Sequence, residues 1–479
     1  MRDHPADSPI TRPPGPGGFL GIRNLLTFYR DPLAYLLDMS QRFGDLARSR
    51  ILGAEFYYIS HPDDIEAVLV QNHKDMIKDT YTRHLSRALG QGLVSSDGEL
   101  WRRHRKLVSF AFTPRRIQTY GEAMVAIAGR GVDRWSDDDV IDLHAEMSRI
   151  TMDVVGGVLF GANVDDDAAT VGHAMEAVNE FFAGSLEHSL DLPAWVPTPR
   201  NRRFNAAVRT IDDVLYRIIA GQRNRQAEHS AENRDDLLSA LLAAHRHDAG
   251  HDAGQPDEQS EQHAALDDQE LRDECITLFL AGHETTALAL VHALYLLSKH
   301  PEIEARFHAE LTEVLGDRPA TAADVKALEY TGRIIKETMR LYPPVWVVGR
   351  QVVNEIELGG HRVPRGAQIL ASQWVVHRDP RWYDDPEAFD PDRWLPERAG
   401  KLPRMAYFPF GAGPRICIGN HFATMEAVLL LATMGQRFHL ELLPGQNLEF
   451  SPSVTLRPRR HLRMRLRARA ASQRTASAA

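Results

Sequence analysis

Phe408-Pro409-Phe410-Gly411-Ala412-Gly413-Pro414-Arg415-Ile416-Cys417-Ile418-Gly419 is the stretch on which the reading of this chain turns. Its glycines and proline favour a tight, non-repetitive loop. A helical pattern begins directly after it, near Asn420. A thiolate at a helix N-terminus is stabilised by free backbone N–H groups and by the positive end of the helix dipole. The sequence therefore predicts one ionised sulfur on a rigid loop. Such a sulfur serves as a nucleophile or as an axial ligand to iron. A nucleophile needs a base, and the nearest candidate is His421, whose direction sequence does not set. The neighbours suit the ligand reading better. Phe410 can cover the sulfur, Gly413 and Gly419 leave room for a flat macrocycle, and Arg415 can reach an acidic substituent of it.

The rest of the composition bounds the alternatives. The chain has 479 residues and two cysteines, and its 56 Lys+Arg against 65 Asp+Glu give a net charge of −9. Two cysteines cannot build a disulfide framework, a four-thiolate zinc site or an iron–sulfur cluster. Cys275 lies among apolar residues of a long helical pattern and reads as core. The acidic balance argues against nucleic acid as a partner. The N-terminal segment has no unbroken apolar run of signal or spanning length, and Ala287–Leu297 is too short to cross a bilayer. A cytoplasmic protein without a membrane span is expected.

Along the chain, 1–18 is a Pro/Gly-rich lead-in, and 468–479 is a small, polar, disordered tail. Asp31 to Phe43 has helical spacing, Ala47–Ile59 reads as a strand pair broken at Gly53, and Asp97–Leu242 is mostly helical. Segment 244–268, with His245, His247, His251 and His263, reads as an exposed polar loop rather than a metal site. Helices are predicted over Asp268–Lys299 and Ala323–Leu341, each stopping before proline. Short strands follow between Val348 and Leu370, then irregular coil. The terminal alternation of Leu462, Met464 and Leu466 with arginines predicts a strand with one solvated face. The fold class is mainly α with small β-regions, one large domain over 19–467.

The loop around Cys417 resembles the haem-binding loop of the cytochrome P450 family, the haem-thiolate monooxygenases. Three further motifs follow the family's order. Glu337-Thr338-Met339-Arg340 precedes Leu341-Tyr342-Pro343-Pro344, and Phe389-Asp390-Pro391-Asp392-Arg393-Trp394 lies downstream. The resemblance implies a buried cluster of Glu337, Arg340 and Arg393 that locks the coil behind the cysteine loop. Ala281-Gly282-His283-Glu284-Thr285-Thr286 sits mid-helix among apolar flanks. Gly282 allows close approach to the backbone, and Thr285 can bond back to a main-chain carbonyl. In the family, the Glu284–Thr285 pair delivers protons during dioxygen activation. Trp101-Arg102-Arg103-His104-Arg105 places Trp101 and Arg105 on one helix face.

By this resemblance the cofactor is haem b with the Cys417 thiolate as axial ligand. Its contacts would be Trp101, Arg105, Ala281, Gly282, Arg350, Phe410, Gly411, Arg415 and Gly419, with the arginines and Trp101 on the propionates. The implied activity is insertion of one oxygen atom from dioxygen into an apolar substrate: lipid-like, terpenoid, steroid or macrocyclic. By family position the pocket would draw on Tyr81, Leu93, Phe181, Phe182, Phe279, Val345, Trp346, Val347 and Val454, although Phe181 and Phe182 read equally well as helix core. No Gly-rich dinucleotide fingerprint follows a strand. Electrons are therefore expected from a separate ferredoxin and its reductase, docking near Arg102, Arg103 and Lys106, with the enzyme a monomer. The alternatives are a haem-thiolate isomerase or dehydratase, a non-oxygenating haem protein, and a haem-free cysteine hydrolase. The intact Glu284–Thr285 pair favours oxygenation.

Overall fold

The computed structural model describes residues 12–17, 21–161, 168–182, 195–228, 237–239, 241–242 and 266–469. The polar loop expected at 244–268 lies almost wholly outside the described residues, as do most of the lead-in and the tail.

The longer helices, in chain order, are α1 (Ile22–Arg30), α2 (Pro32–Phe43), α3 (Gly98–Ser109), α4 (Pro114–Val132), α5 (Leu143–Leu159), α6 (Ala168–Phe182), α7 (Pro199–Glu228), α8 (Asp268–Lys299), α9 (Pro301–Val314), α10 (Glu329–Leu341) and α11 (Asn420–Arg437). Helix α8 is the axis of the main core and packs against α5, α7, α10 and α11. Its start is fixed by a reciprocal cap: Asp267 accepts from the Glu270 N–H, and the Glu270 carboxylate accepts from the Asp267 N–H. Its length and composition would suffice to cross a bilayer, but 83% of its most apolar window is buried inside the protein. That burial makes it a core helix, as the sequence predicts for Ala287–Leu297.

Strands β1 (Leu46–Ile51) and β2 (Ala54–Ile59) form the predicted pair, turning at Leu52 and Gly53, both at positive φ. This two-residue turn with left-handed backbone matches the twist of a hairpin. Strand β3 (Met76–Lys78) joins them in a five-stranded sheet of order β1-β2-β8-β5-β3, with β5 at Val348–Val352 and β8 at Gln368–Ala371. Lys78 and Arg350 face each other across β3 and β5. A second sheet has the order β4 (Val140–Asp142), β12 (Arg463–Ala468), β9 (Phe438–Leu442). In β12, Met464 and Leu466 are buried while the arginines face outward. Strands β6 (Ile356–Leu358) and β7 (His361–Val363) make a hairpin, and so do β10 (Phe450–Pro452) and β11 (Leu456–Pro458).

One predicted helix divides. Ala322–Lys326 is a 3₁₀ turn, and α10 starts only at Glu329. The break is local: Thr321 and Asp324 form their own capping box. The Glu310 carboxylate then caps α10 from outside, accepting from the N–H groups of Tyr330 and Thr331.

Candidate active site

The cysteine loop is held from behind. Glu337 and Arg340 are fully buried on α10 and pair twice, at 2.8 and 2.9 Å. Arg340 also donates to the carbonyls of His377, Pro386 and Ala388. Arg393 Nε and the Trp394 indole N–H donate to the same Glu337 carboxylate at 3.3 and 2.9 Å. The structure thus brings Glu337, Arg340 and Arg393 together and adds Trp394. Burying such a pair costs several kcal/mol per ion unless further hydrogen bonds satisfy it, and here the carbonyls and the indole do so. His377 extends the chain of contacts: its Nε2 accepts from the Phe408 N–H at the head of the loop.

Within the loop, Gly411 and Gly413 have φ of 71° and 67°. The Cys417 N–H returns to the Phe410 carbonyl at 3.0 Å, while the half-buried Phe410 ring packs on the main core. A Cβ on Gly413 would lie 2.0 Å from the Leu69 carbonyl. Its bareness therefore serves the packing of the loop against the π-helical turn Ala67–Gln71, not a macrocycle. Likewise, the space beside Gly282 is filled by Val155 of α5, 3.0 Å from an added Cβ. Gly419 has neither positive φ nor a contact closer than Phe112 at 3.7 Å.

Cys417 keeps exposed surface, yet its sulfur lies deep enough that burial pushes the thiol above its ordinary value. The Gly419 N–H and the Arg105 charge pull the other way and lose. The expected thiolate belongs to the iron-bound state, in which the coordinated cation favours the ionised sulfur. Cys275 is buried core, its thiol pushed up by burial.

Arg415 donates to Asp97 at 2.5 Å and to the Ser96 carbonyl at 2.8 Å, with its guanidinium 3.9 Å over the Trp101 ring. Arg350 and Lys78 stand beside it, and Arg105 faces the sulfur. Burial and the neighbouring arginines hold Lys78 down to about 7, and burial chiefly holds Arg415 down to about 10. Asp79 and Asp97 act on Lys78 and Arg350, and Asp97 on Arg415. Clustered guanidinium groups of this kind suit the carboxylates of a haem's propionates. On α8, Ala281 is the one exposed residue between Leu271 and Ser298. Its methyl group leaves α8 open at the turn where the sequence motif expects a haem contact. The residues present fit a haem.

The acid–alcohol pair is split. Thr285 donates to the Ala281 carbonyl at 2.8 Å, as its position predicts. Glu284 turns elsewhere: it is buried, accepts from Arg457 Nε at 2.6 Å and from Thr455 at 3.4 Å, and lies 3.9 Å from His144. Arg457 and His144 overcome desolvation and hold the carboxyl well below the usual range. A second acid was missed by the sequence reading. Glu426 of α11 is fully buried, 3.0 Å from the Thr286 hydroxyl, and burial pushes it up to about 8. Lys78 was also missed, because a lone lysine in a short strand carries no motif.

The nine expected pocket residues separate. Phe181 and Phe182 are buried in an aromatic cluster with Phe204, with Arg87 and Arg200 over the Phe181 ring. Phe279 packs on Phe160, and Leu93 is buried. Trp346 is buried and donates to the Ser453 carbonyl. Val345, Val347 and Val454 are half-buried, and Tyr81 is exposed, its hydroxyl donating to the Phe182 carbonyl. On the outer face of α3, Arg102 and Lys106 are exposed, Arg102 pairs with Glu99, and Arg103 pairs with Glu270 of α8.

A mainly helical domain with a lone cysteine on a rigid loop, beside clustered arginines and a lysine, has the parts a haem-thiolate protein needs. The family model for cytochrome P450 matches residues 13–462. The chain is 36% identical to cyclooctatin synthase of Streptomyces melanosporofaciens, covering 95% of this chain and 96% of that one. It is 34% identical to cyclooctat-9-en-7-ol 5-monooxygenase of the same organism, over 93% of each. It is 35% identical to pentalenene oxygenase of Streptomyces avermitilis, over 96% of this chain and 98% of that one. The chain belongs to the cytochrome P450 family. It is a monooxygenase whose cofactor is haem b with the Cys417 thiolate as axial ligand. It uses dioxygen, an organic substrate and electrons from a redox partner.

Proposed function

We propose that this monooxygenase hydroxylates or epoxidises a cyclic terpenoid. The carrying observation is the uncharged surface of the expected pocket: Val345, Val347 and Val454 are half-buried valines, beside the exposed methyl group of Ala281 that the haem would share. Such a surface offers apolar contact and no charge, which suits a hydrocarbon skeleton. The names of the three Streptomyces relatives point to the same substrate class.

Haem, when bound, supplies the activation of dioxygen and the oxygen-atom transfer. The chain's residues do the rest. Cys417 holds the iron, while Lys78, Arg105, Arg350, Arg415 and the Trp101 indole hold the propionates. Thr285 spends its hydroxyl proton on the Ala281 carbonyl, so its oxygen is left to accept a hydrogen bond and orient water. Glu284 serves as proton source only by exchanging Arg457 for that water, so Arg457 sets how readily it acts. Glu337, Arg340 and Arg393 maintain the loop. A ferredoxin, fed by its reductase, docks at the exposed Lys106 and Arg102, Arg102 sharing its charge with Glu99 and Arg103 with Glu270. The enzyme works as a soluble cytoplasmic monomer.

Titration of the holoenzyme with cyclic sesquiterpene and diterpene hydrocarbons and alcohols tests the substrate class. A terpenoid is expected to shift the haem spin state and to yield an oxygenated product that requires dioxygen and reductant. Spin shifts with steroids or fatty acids and none with terpenoids would overturn it. The reduced carbon-monoxide complex should show the red-shifted Soret band of thiolate ligation, lost in Cys417→Ala and kept in Cys275→Ala.

A further inference from the structure

Away from the haem region, α9 and β9 bring three ligating side chains together. Glu304 and His308 are four residues apart on one face of α9, and His439 meets them from β9. His439 Nδ1 lies 2.7 Å from Glu304 Oε1, and His308 Nε2 lies 3.7 Å from the same oxygen. One donor atom from each residue lies within 4.8 Å of the other two. Both ring nitrogens of His308 are buried, and among the described residues neither has a partner at hydrogen-bond distance, Glu304 Oε1 at 3.7 Å lying beyond it. Buried polar groups are nearly always paired, so an imidazole with two orphan nitrogens is a ligand in waiting. Burial holds His308 below its ordinary value, which leaves the ring neutral and a lone pair available.

We propose that Glu304, His308 and His439 form a binding site for a divalent transition metal ion of the zinc type, with a fourth position for water. Two imidazoles and one carboxylate suit zinc better than calcium or magnesium, which prefer all-oxygen shells. Bonds of about 2.0–2.2 Å place tetrahedral donors roughly 3.4 Å apart. Binding thus needs only a small movement: the Glu304–His439 hydrogen bond opens and His308 closes in. The metal takes the place of the proton shared by that pair. An outer partner is present, since His439 Nε2 lies 3.8 Å from Glu441, and a carboxylate behind a ligating imidazole fixes its tautomer and raises its basicity. Two cations oppose binding. Arg469 faces His308, and its guanidinium donates to the Gly435 carbonyl. Arg467 faces His439 and is compensated by Glu441 and Asp138. A bound ion would clasp α9 to β9, the strand that continues directly from α11 behind the cysteine loop.

Calorimetric titration of the holoenzyme with zinc chloride tests the site. Wild type is expected to take up one more equivalent than His308→Ala or His439→Asn. Zinc is expected to raise the unfolding temperature of wild type and not of these variants. Glu441→Gln should weaken binding by ~10–100-fold. Zinc held by His245, His247, His251 or His263 is common to all and cancels in the comparison. The Soret band of the reduced carbon-monoxide complex should be unchanged throughout, which separates loss of metal from loss of fold; if one variant lacks the band, the other serves. Equal stoichiometry and affinity in wild type and a folded variant would overturn the proposal. So would no uptake by wild type below about 1 mM zinc.

Discussion

His377 Nε2 accepts the backbone N–H of Phe408 at 3.0 Å, nine residues before the cysteine. The same residue's carbonyl receives Arg340. One histidine therefore couples the buried ion cluster to the metal-ligating loop, and burial keeps it neutral by holding its ring down to about 3. His377→Ala leaves the Phe408 N–H buried without an acceptor, which costs about 1–3 kcal/mol. Urea unfolding should show that loss, and haem transfer to a scavenging apoprotein should be faster than in wild type.

Arg457 is predicted to matter more for stability than its peripheral strand suggests. Arg457→Met strands the Glu284 carboxylate in the core, and breaking a buried pair from one side costs roughly 3–5 kcal/mol. Adding Glu284→Gln removes the stranded charge and should recover most of the loss. A double-mutant cycle on chemical unfolding checks both steps.

The cluster of cations beside Cys417 predicts opposite effects in the two forms of the protein. In the apoprotein, Lys78→Met relieves repulsion from Arg350 and Arg415 and should stabilise the fold by up to ~1 kcal/mol. In the holoenzyme it removes a counter-charge for a propionate, and haem release should quicken by roughly tenfold. Paired unfolding and haem-transfer measurements give the two signs.

Glu426 predicts a pH dependence. Its folded value of about 8 lies above the ordinary 4.5. Between these limits the native state retains a proton that the unfolded chain has released. The stability associated with this group is therefore complete below 4.5 and is lost as pH rises toward 8, at about 1.4 kcal/mol per pH unit. Glu426→Gln cannot ionise and can still bond Thr286. Its stability relative to wild type should climb from pH 5 to pH 8, measured by urea unfolding at each pH. A flat difference would show that the carboxyl is not held neutral.

What sequence could show followed from how local the signal was. The Asp268–Lys299 helix was readable to the residue because its cap, apolar run and terminal proline are contiguous. The cysteine loop and the Glu337–Arg340 spacing were readable for the same reason. Partnerships across the fold were not. The motif names Glu284 beside Thr285 but not its partner in space, Arg457, 173 residues away. Lys78, His377 and Glu426 act through what surrounds them, and no spacing announces that. Phe181 and Phe182 show the converse: helical periodicity cannot tell a core ring from a pocket ring, and their contacts with Phe204 place them in an aromatic cluster.

The lone exposed methyl group of Ala281 bears on how such an enzyme can diversify. Almost every other substitution between Leu271 and Ser298 must be accommodated by repacking the interior, whereas side-chain volume at 281 meets open space. Residue 281 is therefore where selection, natural or in the laboratory, can enlarge a side chain of this helix at the least cost to the scaffold.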